Sequence, residues 1–481
     1  MELTEDAVSG FFPDAAYLVL SSRLVPDLDG GYTIATVARA RQMAARGADV
    51  QLLTVDPADA AAHDAHREEF ARRGMLPAEV PLRNLFDEAV APGGGAAPWL
   101  QDAVDAAGAD ADADADADAP ADADPTVGRR VLSDPQGRPF LALPVIAGDP
   151  DWHLSRAAVD VFDERGAVVG SLPGFGALYR AWLSWLAAES ARPVVVICES
   201  RQLGELLAGW SRPGVRIVHM IHTMHLEPPY TPDAPVNALW TRWFVLSDRF
   251  DAVVWPTRSQ RDAVAARFGS GARNLVAPNG VEMPHRGSDE TAADVVAPER
   301  EPGLVISVSR LAAGKRLDHS IRAFVAADVP GAVFEIWGDG PERERLAALI
   351  AELGVGDRVH LRGRTADPAG VLARASVFVT STAFEGQGLS IVEALAAGVP
   401  VVSYDVRFGP GDILAGGGGV LVADGDEAAL AEALRMLLTD EQAHARLAEQ
   451  AYGSARVWSD AAAMSALADV MRTALESPAR R

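Results

Sequence analysis

Arg310 and Lys315 share one loop, and downstream lies a glycine-rich turn between two carboxylates, Phe384-Glu385-Gly386-Gln387-Gly388-Leu389-Ser390-Ile391-Val392-Glu393. These residue types suit a sugar joined to a diphosphate. The guanidinium and ammonium groups neutralise phosphates, and a turn that opens a helix aims backbone N–H groups at them. The carboxylates accept hydrogen bonds from sugar hydroxyls. The plain alternative for Arg310 and Lys315 is a solvated surface pair, and Gly314 beside Lys315 favours the phosphate role. Ser390 and Glu393 also have capping-box spacing, so Glu393 has a structural alternative as the residue that closes a helix start. The same geometry leaves the N–H groups of Gly388, Leu389 and Ser390 as an anion site, with Glu393 near a ribose. Glu385 precedes the helix and is flanked by Gly386, where a ligand can come close. It is the stronger candidate for the transferred sugar.

Other chemistry-bearing residues are less specific. Gly30-Gly31 follows Asp27 and Asp29 and opens a helix, which a tight turn alone explains. His219, His222 and His225 recur every third residue. On a strand that spacing sends the first two to opposite faces, which disfavours a zinc site. His222, at the strand end, is the better placed to reach a sugar, with His225 as fallback. The Asp-Ala repeat around residues 102–124 contains Asp-x-Asp several times, but it has no apolar anchor to fix metal ligands and reads as disordered. No metal or other cofactor is expected. Cys198, the only cysteine, sits in an apolar run and reads as a core residue.

Composition sets the outer limits. The chain has 481 residues, 49% of them hydrophobic, which implies two or three domains. A formal charge of −24 argues against nucleic acid as a partner. The sequence shows no run long enough for an integral membrane segment. The acidic start and the single cysteine lead to an expectation of a cytoplasmic protein without disulfides.

The elements that must position these residues follow an α/β pattern. Ala15–Arg23, a helix over Tyr32–Arg46 and Val50–Asp56 form one βαβ unit. The pattern breaks from about 58 to 192, where short β-like pieces such as Pro139–Ile146 and Val159–Phe162 suggest an inserted subdomain. Alternation resumes with strands at Val194–Cys198, Arg216–Ile221, Ala252–Trp255 and Asn274–Ala277. Residues 284–302 read as a linker. A second series uses Leu304–Ser309, Val333–Trp337, Val359–Leu361, Val377–Thr380 and Val401–Tyr404. The expected domains are therefore 1–283 and 303–457, two doubly wound units facing a cleft, with a terminal helix in 458–481 long enough to cross back.

The second half resembles the retaining glycosyltransferases of family 4, which have the GT-B fold. The resemblance is carried by the Glu385 to Glu393 pair, Ser309-Arg310 with Lys315, Gly338-Asp339-Gly340-Pro341, Pro278-Asn279-Gly280-Val281 and Gly398-Val399-Pro400-Val401-Val402-Ser403. It implies that Arg310 and Lys315 bind a donor diphosphate, Glu393 the ribose, Glu385 the sugar hydroxyls, the Arg364 loop the base, and Gly31 the phosphates from the first domain. Tyr404-Asp405-Val406-Arg407-Phe408-Gly409-Pro410 and His222-Thr223-Met224-His225 are similar to a narrower branch. Its members glycosylate poly(glycerol phosphate) or poly(ribitol phosphate) wall teichoic acid, or start O-glycosylation of Ser-rich adhesins.

The function this implies is metal-independent transfer of glucose or N-acetylglucosamine from a UDP-sugar, with retention, to a polyol phosphate, protein or glycan acceptor. Catalysis would rest on Glu385, Arg310, Lys315 and His222. The resemblance also leaves room for a position peripheral to the inner face of the membrane and for homo-oligomers formed through the inserted subdomain. Two alternatives stand beside it: a noncatalytic GT-B subunit that stabilises a transferase, and a sugar synthase or phosphorylase of the same architecture.

Overall fold

The computed structural model of the chain describes residues 10–26, 28, 31–111, 128–145, 152–269, 271–284 and 300–481. Gly30, Asp27, Asp29, most of the Asp-Ala repeat and most of the expected linker lie outside them.

Strands β1 (Ala16–Ser21), β2 (Asp49–Thr54) and β3 (Leu82–Asn84) pair in parallel. An antiparallel sheet follows, from β4 (Gly128–Ser133), β5 (Pro139–Val145), β6 (Val159–Phe162) and β7 (Val168–Leu172). The parallel sheet then continues through β8 (Val194–Cys198), β9 (Val215–Met220), β10 (Ala252–Trp255) and β11 (Asn274–Val276), in the order β11-β10-β9-β8-β1-β2-β3. The switch point falls at β1 and β8, so the ends of these strands open on the crevice where doubly wound sheets bind ligands. Both strands are buried along their whole length and rich in Val, Ile and Leu, as a sheet covered on both faces requires.

The second sheet has the order β14-β13-β12-β15-β16-β17, from β12 (Leu304–Val308), β13 (Val333–Trp337), β14 (Val359–Gly363), β15 (Val377–Thr380), β16 (Val401–Tyr404) and β17 (Gly419–Val422). All its pairings are parallel. Two apolar clusters cover its faces, as two others cover the faces of the first sheet. The helix Asp460–Glu476 lies on the first sheet, where Met464, Leu467, Val470 and Met471 join that core. Each such side chain contributes about 1.5–3 kcal/mol by burial. This helix therefore ties the chain's last element to the domain formed by its first.

Three differences from the sequence reading have physical causes. Within the partly β insertion expected over about 58–192, the antiparallel sheet occupies residues 128–172, and flanking elements join the first core. β3 pairs with β2, and the helix Gly174–Ala188 packs on the first core through Phe175, Leu178, Trp182 and Leu183. β3 has three residues, too few to show a period. Next, the stretch expected to be disordered from about 102 begins as helix, because Pro98–Ala111 is anchored by buried Trp99 and Leu100. Finally, β17 escapes pattern reading because it is short and emerges from the glycines at 416–419.

Candidate active site

The second domain contributes two loops that its sheet holds in fixed relation. The loop after β12 carries Arg310 and Lys315, and its backbone is pinned to the neighbouring turn by Leu311 N–H donating to the Asp339 carbonyl at 2.9 Å. The loop after β15 carries Phe384 and Glu385. Ala383 N–H donates to the Gly314 carbonyl at 2.8 Å, and Thr382 Oγ1 donates to the Phe384 carbonyl at 2.8 Å. The two loops thus bring Lys315 Nζ to 2.6 Å from Glu385 Oε1. Both side chains keep contact with solvent, at 29% and 16% exposure, so the pair sits on an accessible surface. Arg310 is exposed, and its guanidinium has no hydrogen-bond or ion-pair partner among the described residues. Arg364, just past β14, is also exposed.

Gly388 caps the helix Leu389–Ala396 in a left-handed conformation at φ 97°. No side chain caps this helix, so Ser390 and Glu393 do not form the capping box that their spacing allows. The helix begins two residues earlier than that box needs, which puts Ser390 inside its first turn. The N–H groups at its start remain available to an anion. Glu393 is partly covered, its carboxyl group has no hydrogen-bond partner among the described residues, and burial raises its pKa. A carboxylate left in that state is suited to hydroxyl donors.

The first domain closes against this surface. Gly31 begins the helix Gly31–Ala44, and its α-carbon faces Leu389: a methyl group built there would lie 3.9 Å from Leu389 Cδ1. Gly386 meets the end of β9 more tightly. A methyl on Gly386 would sit 2.4 Å from the His222 carbonyl oxygen, so no larger residue fits without displacement. Gly31, His222, Gly386 and Leu389 thus meet where the two domains face each other.

His222 itself is held from behind. Its Nε2 lies 2.5 Å from Oε2 of Glu199, the residue immediately after β8, and its ring packs edge-on against Tyr32 at 5.1 Å. Glu199 also pairs with Arg39. Burial alone would raise the Glu199 carboxyl, but the Arg39 charge and the His222 hydrogen bond outweigh it and bring it down to about 2. Arg39 Nη2 donates to Asn279 Oδ1 at 2.6 Å. Glu199, Arg39 and Tyr32 are absent from the candidates drawn from the sequence. The signal for Glu199 was present, since a charged residue directly after an apolar strand stands at the ligand-binding rim.

The other two histidines go elsewhere. His219 is fully buried against Trp243 and Phe250, and burial lowers its pKa to about 3. His225 is buried among Phe244, Trp255 and Phe268 and stacks on Phe408 of the second domain, with its pKa lowered by burial to about 4. His225 therefore serves packing between domains, and His222 is the one at the cleft. Among the described residues, no group of three or more His, Cys, Asp or Glu is arranged to hold a metal ion.

Two family models match consecutive parts of the chain, "Glycosyltransferase Family 4" over residues 144–283 and "Glycosyl transferases group 1" over residues 288–454. The chain is a GT-B glycosyltransferase. Its glycine-rich turn and basic pair lie in the part matched by the group 1 model, and His222 and Glu199 in the part matched by the family 4 model.

Among curated relatives, the poly(glycerol-phosphate) α-glucosyltransferase of Bacillus subtilis is 27% identical over 312 residues, which is 64% of this chain and 43% of that protein. The GtfA subunit of a UDP-N-acetylglucosamine–peptide N-acetylglucosaminyltransferase from Streptococcus gordonii is 26% identical over 236 residues, 48% of this chain and 45% of that protein. The matches thus span less than half the length of these relatives. The solved structure of S. aureus TarM with fondaparinux, α-GlcNAc-glycerol and UDP superposes with a TM-score of 0.70 at 15% identity, covering 95% of this glycosyltransferase and 99% of that chain. That likeness establishes the shared GT-B fold.

Proposed function

We propose that this glycosyltransferase moves glucose or N-acetylglucosamine from a UDP-sugar, with retention of the α configuration, to a hydroxyl of a polyol phosphate polymer, a protein Ser or Thr, or a related glycan. The observation that carries this reading is the Lys315–Glu385 pair, solvent-accessible beside an uncapped helix start and across from Gly31 and His222. Cation, amide dipoles and carboxylate are the set that a sugar diphosphate needs.

In this proposal Arg310, Lys315 and the N–H groups of Gly388, Leu389 and Ser390 stabilise the departing diphosphate. Glu393 takes the ribose hydroxyls, the Arg364 loop borders the base, and Gly31 and Gly386 let the donor approach. Glu385 and His222 hold the sugar. The bond from the anomeric carbon to the diphosphate oxygen breaks, the acceptor oxygen bonds on the same face, and its proton passes to the leaving phosphate. Preorganised charge supplies most of the acceleration in a site of this kind. No divalent ion is assigned a role. The acceptor would lie against the first domain, and the exposed valines of the 128–172 sheet, Val131, Val145 and Val168, are offered for self-association.

No helix among the described residues is long and apolar enough to cross a membrane. The proposal places the protein in the cytoplasm, at the inner face of the membrane when its acceptor is there.

The test is UDP release from UDP-glucose and UDP-N-acetylglucosamine, with poly(glycerol phosphate), Ser/Thr peptide or no acceptor, each with and without EDTA. Acceptor-dependent release that survives EDTA is expected, with product analysed for anomeric configuration. Absence of release with every donor would leave the binding-subunit alternative as the better reading.

A further inference from the structure

Glu199 is buried completely, yet it makes two polar contacts that lead out of the core in different directions. One oxygen pairs with Arg39. The other lies 2.5 Å from Nε2 of His222, whose side chain keeps 13% exposure. An ionised carboxylate only accepts hydrogen bonds, so Nε2 must carry the proton. Nδ1 is then the ring nitrogen without a hydrogen-bond partner among the described residues. Tyr32 fixes the plane of the ring by its edge-on contact, and its own hydroxyl is tethered to Ser21 Oγ at 2.8 Å.

We infer that Glu199 is a positioning residue which holds His222 in the Nε2–H tautomer, so that Nδ1 is presented to the sugar as a hydrogen-bond acceptor. This rests on the donor site proposed above. A lone pair there favours a sugar that gains positive charge as the diphosphate leaves, whereas an N–H pointing the same way would oppose it. Arg39 offsets the carboxylate's charge, so Glu199 orients the imidazole without leaving an uncompensated charge in the core. The arrangement extends to the second domain: Arg39 donates to the Asn279 side chain, and the Asn279 backbone is bonded to Gln387, two residues from Glu385. The pose of His222 and the position of the glycine-rich turn are thus parts of one hydrogen-bonded unit.

The experiment is long-range proton–nitrogen correlation of the full chain labelled on histidine nitrogen, with the His222 signal assigned through His222→Gln. The expected wild-type spectrum shows the Nε2–H tautomer of His222, with Nδ1 unprotonated, and Glu199→Gln shows a mixture or the opposite tautomer. In parallel, Glu199→Gln should lower kcat roughly 10- to 100-fold, the scale known for removing the hydrogen-bond partner behind a metal-bound imidazole. Its UDP affinity by calorimetry should change far less than kcat, because Arg310, Lys315, Glu393 and the Arg364 loop, which carry most of the proposed UDP contacts, belong to the other domain. If Glu199→Gln does not fold, because Arg39 has lost its counter-charge, the double variant Glu199→Gln/Arg39→Met removes both charges and gives the same readout. A doubly protonated or Nδ1–H His222 in the wild type overturns the inference, as does an unchanged tautomer and kcat in the variant. A wild-type chain that neither binds UDP nor releases it from a UDP-sugar overturns the donor-site reading instead, and the tautomer is still read from the spectrum.

Discussion

The side-chain amide of Gln387 bonds the backbone of Asn279 twice: Nε2 donates to the Asn279 carbonyl and Oε1 accepts from the Asn279 N–H, both at 2.8 Å. Gln387 is on the glycine-rich turn of the second domain, and Asn279 is where the chain leaves the first. Gln387 is almost fully buried, at 4% exposure. An amide used in this way sets how the turn sits against the other domain.

Replacing Gln387 by Ala leaves the N–H and carbonyl of partly buried Asn279 without these partners, at a cost of up to about 1–3 kcal/mol for each group. The expected result is a lower urea midpoint and a loss of transfer greater than the loss of UDP binding. A variant with wild-type stability and turnover would show that the clamp has no part in aligning the domains.

Lys315→Ala and Glu385→Ala should each lower kcat by roughly 10²–10³-fold, the range found when one preorganised charge-stabilising group is removed. Because the two side chains touch, the double variant should cost less than the product of the single effects. Fluorescence and circular dichroism should report folded protein in all three. Turnover near wild type in either single variant removes that residue from the catalytic assignment.

Gly386→Ala probes the approach of the domains. Its methyl group would overlap the His222 carbonyl oxygen at 2.4 Å, and backbone on both sides cannot yield cheaply. The variant should keep both cores, remain folded in thermal melts and lose transfer, with small-angle scattering reporting a more open shape. Unaltered activity would mean that contact between these two backbones is not needed.

His63 gives a pH prediction away from the cleft. Its ring nitrogens face Asp87 at 2.8 Å and Asp56 at 3.3 Å, and Arg67 also binds Asp87. Burial acts to lower the His63 pKa, but the hydrogen bonds and charges of the two aspartates win and raise it to about 9. A folded pKa above the ordinary value of about 6.5 means stability fully present below that value and lost as pH rises through 9. The loss is on the order of 3 kcal/mol and should vanish in His63→Gln. Equilibrium unfolding followed from pH 6 to about 10 measures it.

The α/β alternation, the two sheets and the basic pair with its turn were legible because each rests on local pattern: apolar runs of strand length, helices at their own period, and glycines next to charge. Val333–Trp337 and Val401–Tyr404 appear in the structure with the same limits as in the sequence reading. What pattern could not supply was pairing. β3 is a strand only because β2 lies beside it, and Ser390 is denied its capping role only because Gly388 already starts the helix. Likewise, Arg39 and Glu199 are 160 residues apart and Asn279 and Gln387 are 108 apart. The sequence by itself determined which residue types stand at strand ends, since backbone periodicity and steric preference act over a few neighbours. Only the tertiary structure decided which of those ends meet, because hydrogen bonds and ion pairs depend on distance in space, and the packing of two domains brings together atoms the chain keeps far apart.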